Sequence, residues 1–165
     1  MVKKKDTRAI EKYVRRNVTE GSACRYIHFT ICHDVHWTLI VYDTDDRSWK
    51  HYNSMRQRSV RTDMHYTEAI ILKKCVANIM KESLCAFGMD ERSIETDFSY
   101  PLEAVTQCPQ QKAGSLDCGI IVCAIMWQYV HHCDVNRSMQ GTNYSMLHAN
   151  MVKSFVNDLI RGVKE

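Results

Sequence analysis

The run Gln110-Gln111-Lys112-Ala113-Gly114-Ser115-Leu116-Asp117-Cys118-Gly119 leads directly into the apolar stretch Ile120 to Trp127. It sets a cysteine between aspartate and glycine where a polar loop turns into a helix. A thiol there meets the positive end of the helix dipole and free backbone N–H groups, both of which favour thiolate. A thiolate nucleophile needs a base to manage its proton, and His36, in the upstream pair His36-Trp37, supplies a candidate. One cysteine with a distant histidine is the residue pattern of thiol hydrolysis.

A third group must hold the imidazole. The segments His36 to Tyr42 and Arg47 to Asn53 read as antiparallel strands around the turn Asp43-Thr44-Asp45-Asp46. That pairing puts Asn53 opposite His36 or one diagonal step away, within side-chain reach. The Asn53 carbonyl can then accept from one ring nitrogen and leave the other for the thiol, a Cys-His-Asn version of triad logic. Asp43 is the competitor, but strand alternation sends it to the other face from His36. For the oxyanion of a tetrahedral intermediate, the Cys118 N–H offers one donor and a loop amide a second. Gln111 is the first candidate for that amide and Gln110 the reserve. Gly114 and Gly119 allow close approach of a substrate backbone, and Asp117 is expected to cap the helix.

The elements that must position these residues form one domain over residues 1–165, large enough for a real core. Thr7 to Val18 reads as a charged amphipathic helix and Arg25 to Cys32 as a further strand. Tyr66 to Leu84 is the longest helical candidate, with Ile70, Ile71, Val76, Ile79 and Met80 forming its apolar stripe. Arg56 to Asp63 is a polar loop, as is Phe87 to Thr96, where Gly88 is a plausible cap. Tyr100 to Thr106 is a short strand candidate. Cys118 to His131 is apolar nearly all round, so a central buried helix is expected. Tyr144 to Arg161 gives a last helix ending near Gly162. A short antiparallel sheet with surrounding helices is an α+β fold.

Composition narrows the function classes. Hydrophobic residues at 45% and charged residues at 25% suit a globular protein, and the net charge of +3 does not call for nucleic acid. No apolar stretch approaches the ~20 residues that span a bilayer, so no membrane partner is expected. The basic N-terminus lacks the apolar core of a secretory signal, which points to an intracellular protein of the nucleus or cytoplasm. The eight cysteines show no CxxC pair, and no His or Cys spacing is that of a zinc site. No metal or cofactor is implied, and most cysteines read as small core residues.

His36-Trp37-Thr38-Leu39, then His51-Tyr52-Asn53-Ser54-Met55, then Pro109-Gln110-Gln111 through Asp117-Cys118-Gly119 resemble the ubiquitin-like-protein-specific cysteine proteases, the SUMO proteases, in the style of their plant members. The resemblance spans about residues 25 to 130 with three motifs in order, and His36 and Asn53 keep the family's base-to-acid spacing. It implies a papain-like, SUMO-protease-like fold with Cys118 as nucleophile, His36 as base, Asn53 as its orienting partner and Gln111 in the oxyanion hole. It further implies that Trp37 helps to cover the tunnel for a Gly-Gly tail, with Gln110 and Gly119 beside it. The implied partners are ubiquitin-like modifiers of the SUMO type and their conjugates, met by a monomer.

Asn53 stands where the family usually has aspartate, and the loop from Gln111 to Cys118 is one residue longer than usual. Only residues 1–35 precede His36, so much of the family's N-terminal substrate-binding half is expected to be missing. The expected activity is thus cleavage after the C-terminal Gly-Gly of a modifier through a thioester acyl-enzyme. The alternatives are a binding or relic domain of the same fold without turnover, and an acyltransferase using the same Cys-His chemistry.

Overall fold

The computed structural model describes residues 4–19, 24–86 and 99–131, with single helical positions at Met146, Ala149, Asn150 and Lys153. The expected loop at Phe87 to Thr96 and most of the expected helix at Tyr144 to Arg161 lie outside the described residues. Among those described, the order is α1 (Lys4–Thr19), β1 (Tyr26–His33), β2 (His36–Asp43), β3 (Ser48–Tyr52), a short 3-10 turn (Val60–Thr62), α2 (Met64–Ala86), β4 (Leu102–Ala104) and α3 (Cys118–Val130). No described helix is long and apolar enough to cross a membrane.

The four strands lie side by side in the order β1-β2-β3-β4. The first three run antiparallel, and β4 joins β3 in parallel, with Trp49 beside Leu102 and His51 beside Ala104. The sheet is therefore antiparallel as expected except at its last strand, which arrives from α2 rather than from a hairpin. β1 and β2 are joined by the two-residue turn Asp34-Val35, both at positive φ (47° and 62°). That backbone matches the strand twist, although a β-branched valine adopts it only with strain.

Side-chain alternation along β2 separates two cores. Ile40 and Tyr42 join Phe29, Trp49, Val76 and Met80 beneath α1 and α2. Leu39 and Val41 join Tyr52, Ile121, Val122 and Ile125 beneath α3. A strand covered on both faces must be apolar on both, and the central part of β2, Thr38–Asp43, is buried at every position. This gives α+β layering, with the sheet between α1/α2 and α3.

Two expectations change at the helices. α3 is not buried all round: Cys118, Ile121, Val122, Ala124, Ile125 and Tyr129 face inward, whereas Trp127 (55% exposed) and Val130 (65% exposed) face out. A helix on one face of a sheet has one side to bury, whatever its composition. Along α2, Val76, Ile79 and Met80 are buried, but Ile71 of the expected stripe is exposed.

Candidate active site

β2 begins at His36, and β3 ends one residue before Asn53. The register pairs Leu39 with Tyr52, so continuing it by one step sets Asn53 beside Thr38, a diagonal step from His36. The two side chains meet there: His36 Nε2 lies 2.8 Å from Asn53 Oδ1, and both residues are buried. The other ring nitrogen, Nδ1, is buried and has no hydrogen-bond partner among the described residues.

The polarity of this bond follows from the neighbours of Asn53. Its Oδ1 also accepts the Met55 backbone N–H at 2.8 Å, and its Nδ2 donates to Asp63 Oδ2 at 3.0 Å. A backbone N–H can only donate and a carboxylate can only accept, so the carbonyl oxygen of Asn53 must face His36. His36 then carries its proton on Nε2, and Nδ1 presents a lone pair.

Asp63 was expected only as the end of a polar loop. It is 2% exposed and stands at the start of α2, where its Oδ1 accepts the N–H groups of His65 (3.0 Å) and Tyr66 (3.1 Å). The signal for it was present, because an aspartate immediately before a long helical segment is an N-cap. Nothing in the spacing tied that cap to Asn53. His65 was likewise unforeseen: its ring lies 4.6 Å from that of His36, centroid to centroid. Burial lowers the His65 pKa, the neighbouring His36 adds to this, and Asp63 opposes it. His51, on β3, is pushed down to about 4, chiefly by burial.

Cys118 opens α3 and is buried. As the first helical residue its N–H has no intrahelical acceptor. Asp117, expected as the cap, takes helical dihedrals and makes no side-chain cap bond. Its carbonyl accepts the Ile121 N–H at 2.9 Å, the first bond of the helix, while its carboxylate stays out of the cap. Trp37 is 43% exposed, and its Cδ1 lies 3.8 Å from where a Gly119 side chain would begin. The N-terminus of α3 thus sits against the residue next to His36. No hydrogen bond joins the Cys118 thiol to His36 Nδ1 in this state.

The loop before Cys118 is stitched to the segment after β3. The Gln111 N–H donates to the Ser54 carbonyl (2.9 Å), and the Ser54 hydroxyl donates to Gln111 Oε1 (3.0 Å). Gln110 Nε2 donates to the carbonyls of Asn53 and Cys108, while its Oε1 accepts the Arg56 N–H. Gln110 is thereby a strut between the two segments rather than a free donor. Gln111 Nε2 donates to the Ser115 carbonyl at 2.8 Å, which uses one of its two amide hydrogens. The turn Lys112–Ser115 closes with Gly114 at φ 78°, where a glycine relieves the strain.

Asp43 belongs to a different structure. It is buried, accepts from Arg25 (3.3 and 3.4 Å) and takes the N–H groups of Asp45 and Asp46, so it builds the β2–β3 turn. Cys108 is a core thiol whose pKa is pushed up to about 12 by burial. Among the described residues, no group of three or more His, Cys, Asp or Glu side chains is placed to hold a metal.

The sequence model of the Ulp1 protease family, C-terminal catalytic domain, matches residues 2–160. The chain belongs to this family. Solved structures agree on the fold: a SUMO protease Ulp1 with its catalytic cysteine oxidised to a sulfonic acid superposes with a TM-score of 0.54 at 17% identity, over 86% of this chain and 56% of that one. The C-terminal Ulp1 protease domain in complex with Smt3, the yeast ortholog of SUMO, gives 0.51 at 17% identity, over 80% and 53%. No curated protein sequence matches the chain. It spans a little over half the length of these Ulp1 structures. The Ulp1 family is one of cysteine proteases, and this chain carries its α+β catalytic domain fold.

Proposed function

We propose that the protein is a cysteine peptidase or isopeptidase that cleaves after the C-terminal Gly-Gly of a ubiquitin-like modifier of the SUMO type. The observation that carries this reading is the His36–Asn53 bond of 2.8 Å, made by a buried imidazole whose Nδ1 lone pair is unclaimed among the described residues. Cys118 lies at the start of α3, where its own N–H has no intrahelical acceptor and is free to meet a developing oxyanion.

In the proposed reaction His36 Nδ1 takes the proton from Cys118, and the sulfur attacks the carbonyl of the terminal glycine. The resulting oxyanion is met by the Cys118 N–H and by the remaining N–H of Gln111. Collapse expels the leaving amine, which takes the proton from His36 and leaves a thioester. Water then attacks while His36 removes its proton, collapse breaks the C–S bond, the released Cys118 sulfur takes that proton back from His36, and the modifier departs with a free C-terminal carboxyl group. Trp37 beside Gly119 forms one wall of the path for the tail. The choice of modifier is supported by the Ulp1 relative that holds Smt3.

One observation favours a second reading, a binding domain without turnover: the thiol makes no bond to His36 in this state. Electrophilic probes made from the C-termini of ubiquitin-like modifiers separate the two. Covalent labelling that disappears in Cys118→Ala is expected of the protease. Noncovalent binding without labelling would assign the chain to the second reading.

A further inference from the structure

We propose that Asp63 is a positioning residue that acts through Asn53, so that a buried chain His36–Asn53–Asp63 sets the proton on the imidazole. The proposal rests on the protease reading of the site for its kinetic consequence, but its tautomer consequence stands apart from that reading.

Helix capping alone does not account for Asp63. A single oxygen caps α2 by accepting the His65 and Tyr66 N–H groups, and a serine or threonine would serve there without burying a charge. The second oxygen points the other way, to Asn53 Nδ2 at 3.0 Å, between residues that are 2% and 3% exposed. A carboxylate so buried needs its hydrogen bonds made, and here it receives three N–H groups and the positive end of a 23-residue helix.

The consequence is directional. A carboxamide can turn over and exchange its oxygen for its nitrogen; a carboxylate acceptor on Nδ2 forbids that exchange. With the Met55 N–H on Oδ1, Asn53 must offer oxygen to His36, which must then hold its proton on Nε2 and keep Nδ1 as a base. An asparagine at position 53 orients the ring without a charge of its own, and Asp63 supplies the fixed polarity one residue further back.

Asp63→Asn tests this directly. The introduced carboxamide can still cap α2 with its carbonyl, which turns its NH2 towards Asn53 Nδ2 and sets donor against donor. Turning Asn53 relieves that clash at the cost of the bond from the Met55 N–H, and in the turned form its NH2 faces His36 and moves the imidazole proton to Nδ1, which can then no longer take one from the thiol. The double variant Asn53→Asp with Asp63→Asn removes the conflict, because a carboxylate at position 53 accepts from His36, from the Met55 N–H and from the introduced amide. Asp63→Ser is the second probe, since serine caps the helix but is too short to reach Asn53.

The readouts are the ¹⁵N shifts of the His36 ring in the full chain, assigned with His36→Gln, and the rate of labelling by a SUMO-type modifier carrying a C-terminal electrophile. Expected for Asp63→Asn are a changed His36 tautomer and labelling slowed by about 100-fold, the scale of a lost general base. Asp63→Ser should slow labelling in the same direction, and the double variant should recover most of the rate and the Nε2–H form. An unchanged tautomer and rate in both single variants, or a double variant no better than Asp63→Asn, would overturn the proposal. If labelling persists in Cys118→Ala, the protease reading fails instead, and the ring shifts still decide the role of Asp63.

Discussion

His36 is held by more than one contact. Its Nε2 is bonded to Asn53 and its ring packs on His65, so losing either contact leaves the imidazole buried and partly guided. This gives a graded expectation for a C-terminal Gly-Gly amide substrate. His36→Ala should slow release by about 10²–10⁴-fold, as removal of a general base does. Asn53→Ala should cost less, because the ring remains and only its orientation is loosened; steady-state rates of the two variants check the order. The meeting of His36 with Asn53 and the place of Cys118 at a helix start were legible at this scale, because each sits in a local motif and the hairpin register follows from one turn. Asp63 and His65 were not, because their link to His36 runs through the start of a helix whose packing no local spacing encodes. The strut role of Gln110 was not legible for a related reason: a glutamine offers the same donor to a substrate or to a neighbouring loop, and only tertiary structure shows where it is spent.

At the scale of elements, the site depends on where α3 starts relative to β2 and β3. α3 is fixed to the sheet through Ile121, Val122 and Ile125 and through a polar contact, the Tyr52–Tyr129 hydroxyl pair at 2.6 Å within the core. Burial raises the pKa of both tyrosines, so the pair stays neutral and one hydroxyl donates to the other. Tyr129→Phe strips Tyr52 of that partner inside an apolar layer and should destabilise the fold by about 1–3 kcal/mol. Urea unfolding of the two forms measures this, and the double change with Tyr52→Phe should recover part of the loss. The strands and helices around the site were legible from periodicity to within a few residues. The parallel entry of β4 was not, since a three-residue strand carries no signal of direction. The exposed side of α3 was not either, since an all-apolar helix does not say which face the sheet will take.

Across the whole molecule, histidine burial sets the response to acid. His51 is nearly inaccessible, its Nε2 has no hydrogen-bond partner among the described residues, and its pKa of about 4 lies below the ordinary 6.5. Burial is the main cause, the nearby His65 and His36 add to it, and Asp63 opposes it. Between those two values the unfolded chain binds the extra proton, so stability rises with pH through that window. The contribution is complete above the ordinary value and lost as the pH falls to about 4, an effect on the order of 3 kcal/mol. His28 and His65 are also lowered by burial and act in the same direction. Urea midpoints measured from about pH 7 to about pH 4 should fall, and His51→Leu should flatten that slope; an equal slope in the variant would remove His51 as its source.

Whether Cys118 is a nucleophile served by His36 is decided by the reaction of the folded chain with a panel of ubiquitin-like modifiers that carry C-terminal electrophiles, with Cys118→Ala and His36→Ala alongside. A covalent adduct at Cys118 with a SUMO-type member of the panel is expected, absent in Cys118→Ala and much slower in His36→Ala. A folded chain that binds a modifier yet forms no adduct, or one labelled equally well without Cys118, would contradict that assignment.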